Sequence, residues 1–90
     1  MAAAPTNRSS VIVMPSVVVQ GKVAMVNPNA RHAILGFPIG QMPPLGRRLN
    51  VYRAGLKVGE LKVTGPKLDL NIAADIVAGE CQVGDEVRDD

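Results

Sequence analysis

The stretch 48-RLNVYRAGLKVGELKVTGP-66 decides the fold. Leu49 and Val51 alternate with Asn50 and Tyr52, the period of two that sends successive side chains to opposite faces of a strand. After Ala54-Gly55 the alternation resumes, with Leu61 and Val63 on one face and Glu60, Lys62 and Thr64 on the other. Two such runs around a two-residue connection predict a β-hairpin, because a tight hairpin turn needs residues that accept positive φ. Gly59 breaks the alternation and predicts a bulge or sharp bend. Thr64-Gly65-Pro66 predicts the end of the strand. No residue set in this stretch is equipped for bond chemistry, so its role is architectural.

Outward from the hairpin, the same two signals recur: aliphatic runs and turn residues. On the N-terminal side, Val17 to Asn27 predicts a strand with Gly21 as a possible bulge, and 27-NPNA-30 predicts a turn. Pro28 presets φ at the second turn position, and Asn29 tolerates the geometry that follows. 31-RHAILGF-37 returns as the partner strand. Residues 36–47 hold three glycines and three prolines and predict a loop, without the spacing of a proline-rich ligand or a phosphate-cradling motif. On the C-terminal side, 71-NIAADIVAG-79 alternates again, with a short helix as the rival reading of its alanines. 82-QVGDEVRDD-90 supplies a turn at Gly84-Asp85 and a closing strand.

Six strands joined by turns, with no convincing helix, predict an all-β fold: a small antiparallel β-barrel, SH3-like or related. Composition agrees. The 90 residues include thirteen Val, five Ile and seven Leu but only two aromatics, Phe37 and Tyr52, so the interior must be thin. The expected organisation is a flexible leader and apolar arm over residues 1–16 and one barrel domain over 17–90. Pro15 cannot donate to a ladder, which makes Val11 to Met14 an edge strand or a sticky arm. The apolar run Val11 to Val19 is about half the ~20 residues a membrane helix needs, and Pro15 and Ser16 break it.

Charge is divided along the chain. Residues 1–59 carry seven cations (Arg8, Lys22, Arg31, Arg47, Arg48, Arg53, Lys57) and no acid. Residues 60–90 carry eight acids against Lys62, Lys67 and Arg88, a net of −5. Either the two parts neutralise each other across the sheet, or a polar molecule docks on copies of itself or on an acidic partner.

The runs L-x-V-Y-R-x-G-x-x-V-G-E-L-K-V-T (49–64) and A-D-I-V-x-G-x-x-x-V-G-D-E-V (74–87) resemble small β-barrel modules of bacterial cell-envelope proteins. The layout is similar to the C-terminal domain of flagellar assembly protein T and to the barrel of rod-shape-determining MreC-type proteins. The resemblance covers about residues 17–88 and implies scaffolding and assembly without catalysis. It implies a periplasmic or envelope-associated setting, with a cytoplasmic one as the alternative. The long helix that precedes the MreC-type barrel has no counterpart here.

Catalytic and metal chemistry find little material. His32, the only histidine, has no nucleophile signature near it, and a general base needs a partner within hydrogen-bond reach. One His and one Cys fall short of a metal set, so no metal or other cofactor is expected. Asp69 and Asp75 make a poor glycosidase pair in a domain with two aromatics; Asp75 is expected to pair with a cross-strand arginine. Cys81 cannot form an internal disulfide and fits a small buried hydrophobe. The expected function is a non-enzymatic module that binds a protein partner or itself through Val17, Val18 and Val19 of the arm and the basic residues Arg47, Arg48, Arg53 and Lys57. The alternative is a basic-faced barrel that binds nucleic acid with the same arginines, although single-strand binding adds stacking aromatics and only Tyr52 lies near.

Overall fold

Ala54 and Gly55 both sit at positive φ, 53° and 81°. That geometry is the primed two-residue turn whose twist matches the strands it joins. It connects β3 (Arg48–Arg53) to β4 (Leu56–Leu68). The structure, a computed structural model, describes residues 19–90. Val17 and Val18 of the arm, and the leader, lie outside the described residues. The remaining strands are β1 (Gln20–Asn27), β2 (His32–Gly36), β5 (Asn71–Gly79) and β6 (Glu86–Arg88). Every pairing is antiparallel, and the strands close into a barrel in the order β1-β2-β5-β4-β3-β6. Strands β3, β4 and β5 are joined by hairpins and β6 returns beside β3, a Greek key. The all-β barrel read from the sequence is the observed fold, and 71–79 is a strand rather than a helix.

The interior is filled by the inward-facing member of each alternating pair. Leu35, Leu49, Val51, Leu61, Val63 and Val87 are essentially without solvent contact. Val87 is the centre of the three-residue β6, so a single side chain anchors the strand that closes the barrel. Phe37 follows β2 at one end of the core, and Cys81 joins the core from the 80–85 connection at the other. Leucine and valine suffice because a six-stranded barrel encloses little volume.

Four local expectations are revised. Thr64-Gly65-Pro66 does not end its strand. Val63 pairs with Ala74 and Lys67 with Ile72, so residues 64–66 bulge opposite Ala73 alone and β4 then resumes to Leu68. Gly65 supplies the positive φ of 72° and Pro66 has no N–H to pair, which together suit an outward excursion rather than a stop. Gly21 is not a bulge: it pairs regularly with Val87, and the irregularity of β1 falls between Val23 and Met25. Gly21 is instead required by contact, because a Cβ there would overlap the Gly36 carbonyl and come 2.6 Å from the Phe37 ring. In the 27–30 turn the left-handed residue is Arg31 (φ 53°), and Asn27 acts through its side chain, whose Oδ1 accepts from the Ala30 N–H at 3.2 Å. At the expected irregularity near Gly59, the residue without a β3 partner is its neighbour Val58.

Candidate functional site

The barrel has two ends of different chemistry. The turn end carries the 28–31 turn, the Ala54-Gly55 hairpin and the 80–85 connection. The loop end carries the start of β1, residues 37–47 and the β4–β5 turn at Asp69-Leu70.

At the turn end, Asp85 is buried and accepts from three donors. Arg53 donates from Nε to Oδ1 at 3.0 Å and from Nη2 to Oδ2 at 2.8 Å, and the Gln82 N–H donates to Oδ2 at 2.8 Å. A bidentate guanidinium pair of this kind is among the stronger polar contacts available to a protein. The Arg53 hydrogen bonds hold the Asp85 carboxyl below its ordinary range, and the same bonds raise Arg53 above its own. Arg53 also reaches Glu80 at 3.3 Å, and Arg31 donates to the Gly79 carbonyl at 3.0 Å. Beneath them, Gly59 pairs with Gly79, and a Cβ on Gly79 would overlap the Val58 carbonyl. Burial pushes the Cys81 thiol up, away from the reactive thiolate.

The other basic residues singled out in the sequence are also engaged. Arg47 pairs with Asp89 at 2.5 Å, Lys57 with Glu60 at 2.8 Å, and Arg48 approaches the same Glu60 at 3.7 Å. The Lys57 hydrogen bond lowers the Glu60 carboxyl. Each of these contacts joins a cation before residue 60 to an acid from residue 60 onward, so part of the divided charge of the sequence is neutralised across the folded chain. Arg47 and Arg48 lead into β3 while Arg53 and Lys57 flank the far hairpin; Arg48 and Lys57 converge on Glu60, whereas Arg47 and Arg53 are held by separate acids. The Tyr52 ring carries the Arg88 guanidinium 4.0 Å above its centroid, and its hydroxyl donates to Asp90. Hydrogen bonds from Asn50 and then Tyr52 lower the Asp90 carboxyl.

His32 and Asp75 are register partners on β2 and β5, with Nδ1 and Oδ1 3.8 Å apart. The cross-strand partner of Asp75 is therefore this histidine, with Lys62 opposite it on β4, rather than an arginine. Asp69 lies in the β4–β5 turn at φ 56°, away from that pair. Among the described residues no group of three or more His, Cys, Asp or Glu is arranged to hold a metal ion. Among them, too, no helix is long and apolar enough to cross a membrane.

Exposed aliphatics occur at both ends, with Leu56 and Val83 at the turn end, but the loop end gathers four of them beside a groove, and sequence reading passed over most of these. Ile39 (85% exposed), Leu45 (68%), Leu68 (73%) and Leu70 (44%) are all there. A groove of about 640 Å³ opens between the start of β1 and the loop, lined by Gly21, Phe37, Pro38, Gln41 and Leu70 among others. Val19, the one arm residue described, enters beside it. Val19 is half-buried against the core, its N–H donates to Asp89 Oδ1 at 3.0 Å, and its carbonyl accepts from the Asp89 N–H at 3.2 Å. The available signal was the aliphatic content of the Gly/Pro-rich segment, where Ile39, Met42 and Leu45 recur among residues otherwise suited to a solvated loop.

No family model, no curated protein and no solved structure matches the chain.

Proposed function

We propose that this protein is a non-enzymatic assembly module that makes protein–protein contacts, including contacts with itself, in a bacterial envelope setting. The observation that carries the reading is the group of exposed aliphatics Ile39, Leu45, Leu68 and Leu70 at the end of the closed barrel that also carries a groove. Exposed apolar surface gathered in one place is the mark of an interaction site, whereas isolated surface aliphatics are ordinary. The resemblance of residues 49–64 and 74–87 to envelope barrel modules supports the same reading. The basic residues Arg47, Arg48, Arg53 and Lys57 take part as internal fasteners, and a partner that binds them must displace Asp89, Glu60 or Asp85. For the same reason nucleic acid is the weaker alternative: its phosphates compete with bound carboxylates, and the Tyr52 face is covered by Arg88.

The test is size-exclusion chromatography with light scattering on the full chain, over a range of concentrations at low and high salt. Apolar contact predicts a mass that rises above the monomer with concentration and holds when salt is added. A monomer under every condition removes self-association. Association that disappears with salt shifts the contact from the loop end to the charged strands.

A further inference from the structure

We infer that the segment 85-DEVRDD-90, which carries β6, exchanges between two copies of this chain, so that each copy's segment closes the other's barrel. This rests on the self-association half of the assembly reading and adds to it a second surface, the seat of β6, together with the partner that fills it.

The segment is recognised by residues far from it along the chain. β6 pairs with β1 at residues 20–22 and with β3 at residues 50–52. Asp85 takes two bonds from Arg53, and its carbonyl accepts from the Val23 N–H at 2.9 Å. Glu86 accepts from the Gln20 side chain. Asp89 is held by Arg47 and by both backbone groups of Val19, and Asp90 by Asn50 and the Tyr52 hydroxyl. Among the described residues, and two turn bonds to Gln82 aside, its hydrogen bonds and ion pairs to the rest of the chain end on residues 19–23 and 47–53. The same segment from a second copy would find every one of these groups in place. The seat is also selective: it offers Arg47 and Arg53 to acids and one core position to an apolar side chain, Val87.

A single turn ties the segment to its own barrel. The Asp85 N–H donates to the Gln82 carbonyl at 3.0 Å, and Gly84 between them sits at φ 93°. Opening residues 82–84 to extended backbone releases the segment, leaves Cys81 in its own core and breaks no pairing among the other five strands. With β6 gone, β1 and β3 each present an unpaired edge, the condition that strand exchange relieves.

Three extended residues reach about 10 Å, so the two barrels of an exchanged pair meet turn end to turn end. Val83 stands in the hinge itself and Leu56 on the hairpin beside Arg53, 67% and 70% exposed. Exchange places both between the barrels and takes them out of water.

The experiment uses full-length variants. Gly84→Val puts a β-branched residue at positive φ, while a Cβ there meets nothing within 4 Å, so it strains the closed turn and spares the opened one. Light scattering should show a dimerisation constant about tenfold or more above the parent's. Separately, Arg47→Asp and Asp89→Arg chains are prepared and mixed. Each alone sets like charges at the Arg47–Asp89 contact, whereas a mixed exchanged pair joins the new acid to the new base in one seat and Arg47 to Asp89 in the other. Native mass spectrometry should find the mixed dimer about tenfold over either variant's own dimer. A Gly84→Val chain that keeps the parent's circular dichroism spectrum and is no more dimeric overturns the inference. So does a mixed dimer that is absent or at its chance proportion. In those cases, association of the parent seen by light scattering leaves the assembly reading intact, whereas parent and variants that are all strictly monomeric defeat both self-association and exchange.

Discussion

The two ends of the barrel are built from the same six strands and solve different problems. At the turn end, polar groups are used up inside the chain: Arg53 is committed to Asp85 and Glu80, Arg31 to the Gly79 carbonyl, and two glycines bring backbones into contact. At the loop end, Ile39, Leu45 and Leu68 stand in solvent and Leu70 lines a groove. The contrast teaches that a small barrel can tie down the charged groups of one end, where Leu56 and Val83 are nonetheless exposed, while the other gathers more aliphatics beside a groove. Substitutions at the turn end should therefore cost stability, and substitutions at the loop end should cost association.

The largest effect is expected from Gly79→Ala. The new Cβ would occupy the space of the Val58 carbonyl at a φ of 65°, and a loss of about 3 kcal/mol or more is expected from strain and overpacking. Urea denaturation reads this as a large drop in midpoint. A variant as stable as the parent would mean that this end is not tightly fitted.

Next comes Asp85→Ala, which removes the acceptor of the Gln82 N–H and both Arg53 bonds, for about 1.5–3 kcal/mol. The pH dependence has a definite sign. Because the Asp85 carboxyl is held below its unfolded value near 3.9, its contribution is fully present above that pH and is lost as pH falls through the lower folded value. Asp90 and Glu60, also lowered, act in the same direction. Stability measured from neutral pH down into the acid range should fall less steeply in Asp85→Ala than in the parent, and equal slopes would detach Asp85 from acid sensitivity.

A smaller effect, of opposite sign, is expected at the hairpin. Ala54 adopts the left-handed region at a cost of about 1 kcal/mol, and asparagine is preferred there. Ala54→Asn should raise the denaturation midpoint by up to that amount, and a lowered midpoint would mean that Ala54 makes packing contacts asparagine cannot.

The smallest change belongs to the loop end. Leu68→Ser alters a side chain 73% exposed and should shift monomer stability by no more than about 0.5 kcal/mol. Unfolding of this variant would show that the loop end supports the fold and would erase the contrast.

Much of the fold was legible because alternation is a local signal. Leu49 and Val51 against Asn50 and Tyr52, and Ala54-Gly55 between two strands, state their geometry within a few residues. The bulge at 64–66 was misread because Gly-Pro marks a departure from the ladder without saying whether the strand resumes; that depends on Ile72 waiting opposite Lys67. The candidate site was less legible. Arg47, Arg48, Arg53 and Lys57 look like a free basic cluster in sequence, yet acids from residue 60 onward occupy all four, with Arg48 and Lys57 sharing Glu60. Of the arm residues, only Val19 falls within the described region, where two hydrogen bonds fix it to Asp89.

The sequence by itself determined that the chain forms strands, where the hairpins turn and which side chains face inward, since period and turn chemistry act over a few residues. Only the tertiary structure decided which charges cancel, that Tyr52 is covered, and that the aliphatics of residues 37–47 meet Leu68 and Leu70 at one end. Those outcomes depend on residues far apart in the chain becoming neighbours, and that is fixed when the three residues of β6 pair with β1 and β3 at once and close the barrel.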